Sequence, residues 1–220
     1  MEFYVPSGLS QDFSDMLDSF GTTVTVNYSV ATPTTNVKVQ LSNPNFKSNY
    51  QNLSDSARIL RFKLTDIIKK GDYLTDSEYT YLVVWQPFKE INSYKSQCQI
   101  CNCVLDIEFW QDAILNSTTG ETATPAGYIP VVSDIKAFTA RNGAGIFSSG
   151  TSEIGITPQN RLMIGVQFNS STSAIIVGHE FLFRNIHYRI TSVDHSQLID
   201  GEDIGCLVLY AEQLEGGRRV

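Results

Sequence analysis

The chain has 220 residues, with Lys+Arg 16 against Asp+Glu 23 for a net charge of −7. That length can bury a full core as one large β domain or two small ones. The acidic balance argues against a dedicated DNA or RNA binder, which needs a basic surface against phosphates, and no apolar run reaches the roughly 20 residues of a membrane span.

Met1-Glu-Phe-Tyr-Val-Pro6 lacks the basic-then-apolar order of a signal peptide, so synthesis in the cytoplasm is expected. Residues 9–20 predict the one helix: Leu9, Phe13, Met16, Leu17 and Phe20 recur on one face. Ser10 is placed as its N-cap, Asp12 in its first turn and Gly21 as its stop. An apolar stripe near a chain terminus serves either to cap a barrel or to meet a neighbour. On the second account Phe13, Met16, Leu17 and Phe20 form a subunit interface.

Strands follow. Val24, Val26, Tyr28 and Val30 alternate with polar residues, as do Val37, Val39 and Leu41, and then Leu60, Phe62 and Leu64. Residues 42–57 are polar and read as a loop. Lys69-Lys-Gly-Asp72 turns the chain into a hairpin that runs to Trp85, and a further long strand is expected over 98–110. Residues 111–127, rich in small polar side chains and without period, read as a linker or exposed loop. Beyond it, 128–140 and 161–168 are strand-like, and 204–210 supplies the last strand. Between them Arg184-Asn185 joins two apolar runs as the tight turn of a hairpin, because Asn tolerates positive φ. This hairpin echoes the earlier one: Gly71 precedes Tyr81 by the interval that separates Gly178 from Tyr188.

The expected fold is therefore mainly β, an antiparallel barrel or sandwich with a short N-terminal helix and room for two β subdomains. The expected division is a helical segment 1–21, a barrel-like domain 22–110, the linker 111–127, a second β region 128–214 and a tail 215–220.

Chemistry is sparse. Cys98-Gln-Ile-Cys101-Asn-Cys103, with Cys206 or one of His179, His187 and His195 as fourth ligand, invites zinc. Strand parity argues against it, since Cys101 and Cys103 would share a face with Leu105, Ile107 and Phe109 while Cys98 points the other way. Without an export signal the four cysteines are expected as reduced thiols, small buried hydrophobes rather than ligands. Asp106 and Glu108 lie on one strand face, a pairing that glycoside hydrolysis can use and that a solvated strand also produces. Gly143-Ala-Gly145 lacks the Lys-Ser/Thr of a phosphate loop, and no local order forms a Ser/His/Asp or Cys/His site. Neither catalysis, a cofactor nor a metal is expected.

Four stretches then carry a likeness: the helix leading through Phe20-Gly-Thr-Thr-Val-Thr-Val26, the segment 88–105, the hairpin strands 183–194, and Cys206-Leu-Val-Leu-Tyr210. Together they resemble the head-closure (stopper or neck) proteins of long-tailed bacteriophages, β-barrel subunits that form a ring under the portal. The resemblance implies a structural virion protein that joins the portal-adaptor to the tail and retains packaged DNA. Its partners would be twelve or six copies of itself, the portal or adaptor protein, tail proteins and DNA passing without sequence-specific contact, with no membrane. It would be made in the host bacterial cytoplasm and end in the virion. Acidic side chains of 42–57 or 111–127 are then expected to face the channel, repelling phosphate. The competing expectation is a tail-tip or baseplate β module that binds a receptor or carbohydrate, for which Trp85, Trp110 and Tyr128 are the available aromatic platform. A hydrolase ranks third.

Overall fold

The period-two alternation of the sequence resolves into two closed sheets. The computed structural model describes residues 7–29, 34–43, 56–140, 161–199 and 204–214. Helix α1 (Ser7–Phe20) precedes β1 (Thr22–Asn27), β2 (Thr35–Ser42), β3 (Ala57–Phe62), β4 (Tyr73–Thr75), β5 (Thr80–Val83), β6 (Phe88–Lys89) and β7 (Tyr94–Ile100). The second set is β8 (Cys103–Gln111), β9 (Ile114–Leu115), β10 (Thr122–Thr124), β11 (Gly127–Ala140), β12 (Arg161–Gln167), β13 (Glu180–Phe183), β14 (Ile186–Asp194), β15 (Leu198–Ile199) and β16 (Ile204–Gln213).

The first sheet runs β3-β2-β1-β4-β5-β7-β6 and closes through β3–β7; the second runs β12-β11-β8-β13-β14-β16-β15 and closes through β12–β16. Each is an antiparallel barrel of six strands with a two-residue strand, β6 or β15, hung on the last. In each, three consecutive strands meander and the fourth returns beside the first, a Greek key. The expected fold class is the one observed.

The two barrels share more than strand order. Around the first, Val24 faces Val37, Leu41 faces Leu60, Phe62 faces Tyr94, Cys98 faces Val83, Tyr81 faces Leu74, and Leu74 faces Val26. Around the second, Leu105 faces Ile135, Thr139 faces Ile164, Val166 faces Leu207, Ala211 faces Ile190, Tyr188 faces Phe181, and Phe181 faces Ile107. The spacing between successive rungs along every strand is the same in both circuits. Strand number and stagger therefore coincide, and these set a barrel's dimensions. The echo between Gly71 and Gly178 is one point of a repeat that extends round the whole barrel.

That echo holds at the level of single hydrogen bonds. Gly71 N–H donates to the Val83 carbonyl and Gly178 N–H to the Ile190 carbonyl, both at 2.8 Å. Val83 N–H returns to Asp72 O and Ile190 N–H to His179 O. Both glycines need the left-handed region, at φ +92 and φ +95, which costs other residues about 1 kcal/mol or more.

Several expectations are corrected. The helix starts at Ser7, so Ser10 lies inside it and is no N-cap, and Asp12 stands beyond the first turn. Gly21 does end it, donating to Leu17 O at 2.8 Å. The strand expected over 98–110 breaks at Cys101-Asn102, where the chain leaves the first sheet for the second. The break lies where Asn102 turns sideways, its Oδ1 accepting from Thr139 N–H at 2.9 Å. The change of sheet therefore falls some ten residues before 111–127, and the second β region begins at Cys103 rather than 128. Residues 111–127 instead carry the small β9–β10 hairpin, exposed between β8 and β11. The loop residues 44–55, the Gly143-Ala-Gly145 stretch and the tail 215–220 lie outside the described residues.

Each barrel has its own core, Val24, Val26, Leu60, Phe62 and Cys98 among others in the first, and Leu105, Ile107, Phe181, Leu207 and Leu209 in the second. A third apolar cluster joins them: Leu82 and Val84 from the first barrel against Phe138, Met163, Cys206 and Val208 of the second. Residues 204–209 of β16 are consequently buried on both faces, which is why the sequence there is a continuous apolar run. At the centre of this seam Gly71 lies against Gly205, so that a Cβ on Gly71 would stand 2.1 Å from the Gly205 carbonyl oxygen. At Gly178 a Cβ would meet nothing within 4 Å among the described residues. Gly178→Ala is thus expected to cost only the backbone strain of about 1 kcal/mol, and Gly71→Ala several kcal/mol more, as a wedge between the barrels. Urea unfolding of both variants measures the difference, and equal losses would contradict the close approach.

Candidate functional site

The seam between the barrels is the best-built polar and apolar surface of the molecule. Tyr73 on β4 donates its hydroxyl proton to the Lys136 carbonyl and accepts from Gln167 N–H at 3.1 Å. Gln167, buried, donates to Asn27 O at 3.0 Å and to Gly71 O at 2.9 Å. Lys70 Nζ reaches Gln197 Oε1 at 2.8 Å, and Lys136 Nζ reaches Thr80 Oγ1 at 3.1 Å. The Cys206 thiol donates to the Val83 carbonyl at 3.4 Å. The bonds of Gln167 to Gly71 and of Cys206 to Val83 are buried, so each is made in a low-dielectric setting where leaving it unmade is costly, while those of Lys136 lie at the exposed edge of the seam.

The contact is heterologous. The first barrel presents its β4–β5 side and the 69–72 turn, whereas the second presents β11, β12, β16 and the β15–β16 corner. Two copies of one architecture thus meet through unlike surfaces.

The helix residues named in advance divide. Leu17 is fully buried, on a helix that lies against β2 of the first barrel, and is not available to a neighbour. Its burial fixes α1 on that barrel, with Lys38 Nζ on the Asp18 carbonyl and Lys63 Nζ on Asp18 Oδ1 at 2.6 Å. Phe13 is half-buried, Met16 is exposed, and Phe20 is 88% exposed. Only Met16 and Phe20 therefore present the expected outward apolar face.

The aromatics proposed as a platform also divide. Trp85 packs on the seam cluster. Trp110 and Tyr128 meet edge to face at 4.9 Å between centroids, and His187 stacks on Tyr128 at 5.8 Å. Beneath them the Tyr128 hydroxyl donates to Glu180 Oε2 at 3.1 Å, while Arg189 grips Glu180 Oε1 through Nε at 3.0 Å and Nη2 at 2.7 Å. Glu180 is 1% exposed, so its charge is stabilised by that two-pronged pair and the phenol. Sequence reasoning passed over Glu180 and Arg189; their signal is a charged residue at each of two facing positions of a hairpin.

The cysteines separate into different surroundings. Cys98 lies in the first core, Cys103 packs on the second, and Cys101 and Cys206 sit at the seam. The expectation that Cys101 and Cys103 share the strand's inner face fails at the break before β8. Burial pushes the Cys101 and Cys206 thiols up to about 12 and Cys103 to about 11, so all three stay protonated at neutral pH. The histidines likewise part company: His179 lies edge-on to Phe109, His187 on Tyr128, and His195 edge-on to Phe168. Among the described residues no three of His, Cys, Asp and Glu converge on one point. Asp106 is exposed, its Oδ1 accepting Asp134 N–H at 2.9 Å, and Glu108 stands opposite Glu180 in the ladder.

The residue after each repeat glycine is buried and titratable. Asp72 accepts Lys69 N–H at 2.7 Å and Ser29 N–H at 3.2 Å, and the His179 Nδ1 accepts Ile176 N–H at 3.3 Å from the corresponding position. Burial, only partly offset by those backbone donors, pushes the Asp72 carboxyl up to about 6. Burial lowers the His179 imidazole below its usual range. The signs oppose. Asp72 favours folding below its unfolded value of 3.8, and this contribution, about 3 kcal/mol, is lost as pH rises through about 6. His179 contributes stability above its unfolded value of 6.5 that is lost as pH falls through its depressed folded value. Asp72→Asn is expected to remove the stability change between pH 4 and 6, and His179→Asn the acid-side loss. Chemical denaturation across pH 4–8 checks both; parallel curves for wild type and Asp72→Asn would refute the first.

Comparison with known proteins adds one finding. Residues 105–212 match the family model of the YomX C-terminal domain, a bacteriophage-associated family. The matched stretch runs from the third residue of β8 to the penultimate residue of β16, which is the second barrel. No curated protein and no solved structure matches the chain.

Proposed function

We propose that this chain, whose second barrel is a phage-associated domain, is a neck subunit of a tailed phage. It forms a ring that closes the filled head, joins the portal-adaptor to the tail and retains the packaged DNA. The observation that carries the reading is the heterologous packing of two like barrels. A contact between unlike patches on like units, repeated about an axis, builds a ring when the rotation closes. The exposed helix residues Met16 and Phe20 give such a ring an additional apolar surface. The net charge of −7 suits a conduit for DNA, because phosphate is repelled along the wall and not captured there. The β9–β10 hairpin suits the lumen: residues 111–127 include Asp112 and Glu121 and contain no Lys or Arg.

The Trp110, Tyr128 and His187 cluster favours a second reading, a tail-tip or baseplate module that binds a receptor or carbohydrate through stacked rings. Deleting the gene separates the two. A neck subunit is expected to leave free tails beside tailless heads that have lost their DNA, seen by electron microscopy of the lysate. Complete, DNA-filled tailed particles that fail to adsorb would overturn the neck assignment in favour of the module.

A further inference from the structure

The repeat shows what covers one barrel's 69–72 turn and leaves the other's exposed. Matching Gly71 to Gly178 places Lys69 and Lys70 opposite Ile176 and Val177. In the first barrel this turn lies on the β15–β16 corner of the second, with Lys70 on Gln197 and Gly71 against Gly205. In the second barrel Ile176 and Val177 are 59% and 58% exposed.

The receiving corner is also repeated. The rungs Phe62–Tyr94 and Val166–Leu207 set β7 and β16 in register, so Ile204, Gly205 and Cys206 correspond to Ile91, Asn92 and Ser93. The latter form the turn between β6 and β7, where Ile91 is 63% exposed. Beside it runs a groove of about 330 Å³ lined by Ile67, Pro87 and Tyr94, among others. Helix α1 occupies part of the same receiving side: Lys38 and Lys63, which bind Asp18, are the counterparts of Lys136 and Gln167, which bind the first barrel on the second. The helix thus walls the site on one side and leaves the Ile91 corner outward.

We propose that the 176–179 turn of one copy docks on the Ile91 corner of the next, so that the turn-on-corner part of the contact joining the two barrels within a chain recurs between chains. The chemistry of the two ends agrees. Where the turn carries lysines, its seat offers Gln197; where the turn carries Ile176 and Val177, the seat offers exposed Ile91 and Phe88, and Glu90, the counterpart of Gln197, is drawn aside by Arg61 and Lys95. Head-to-tail docking of this kind makes each chain contribute two successive, nearly equivalent barrels to one ring. This deepens the ring reading by naming the two surfaces that meet.

Disulfide trapping of the purified full-length chain tests it. Val177→Cys and Ile91→Cys alter exposed side chains, and the native thiols, held protonated by burial, compete poorly. The double variant is expected to give a ladder of covalent multimers under mild oxidation, each single variant only monomer, and an equal mixture of the singles a dimer and nothing larger. No ladder, or a dimer from Val177→Cys alone, would overturn the proposal. The neck assignment is judged separately by the deletion phenotype, so a ladder without a neck defect sinks only that assignment, and a neck defect without a ladder sinks only the contact.

Discussion

Everything in the architecture turns on β16 having no polar side over residues 204–209. Its inward residues, Leu207 and Leu209, complete the core of the second barrel, and its outward residues, Cys206 and Val208, form the seat of the first. A strand apolar on both faces must be covered twice. The first covering is made by closing the sheet on β12, and the second by the β5 side of the preceding barrel. Gly71 and Gly205 then let the two backbones come within reach of Gln167, whose amide satisfies two carbonyls that the seam would otherwise strand. Hydrophobic cover, close backbone approach and buried amide are one arrangement.

The repeat explains why similar local patterns ended in different surroundings. Both barrels use the same glycine-opened turn and the same rung spacing, yet few of the paired residues are identical. Tyr81 and Tyr188 are, while Val83 pairs with Ile190, Cys98 with Ala211 and Phe62 with Val166. Core volume is conserved loosely, as apolar interiors allow. The outer surfaces have diverged further. Leu82 and Val84, which face the seam, correspond to Arg189 and Thr191, and Tyr73 corresponds to Glu180. What is an apolar contact in the first barrel is an ion pair under an aromatic cluster in the second.

Strand existence was legible because one buried face writes period two into the sequence: Val24 and Val26, Leu60 and Phe62, Ile186 to Ile190. The turn at Arg184-Asn185 was legible because Asn tolerates positive φ, and both residues adopt it. The change of sheet at Cys101-Asn102 was not, since alternation continues through it and the break is made by one asparagine bonding across to Thr139. The small polar residues of 111–127 looked like a boundary because an exposed hairpin and a linker have the same composition. Closure of the sheets was beyond reach, as it depends on pairings between β3 and β7 and between β12 and β16, distant in sequence. The burial of Leu17 and the exposure of Phe20 on one helical stripe show the same limit: the pattern names a face and leaves open how far its cover extends.

The double-sided burial of β16 bears on modularity. Residues 105–212 form a recognisable unit with its own closed core, but here that unit has an oily outer wall of Phe138, Met163, Cys206 and Val208. Cut free of its upstream companion, it would be a sticky fragment, closed in topology yet uncovered in chemistry. A stand-alone relative of the barrel has to solve that problem differently, with hydrophilic side chains at those four places or with a separate protein laid over them. The boundary at which sequence similarity ends is therefore not the boundary at which this molecule can be divided.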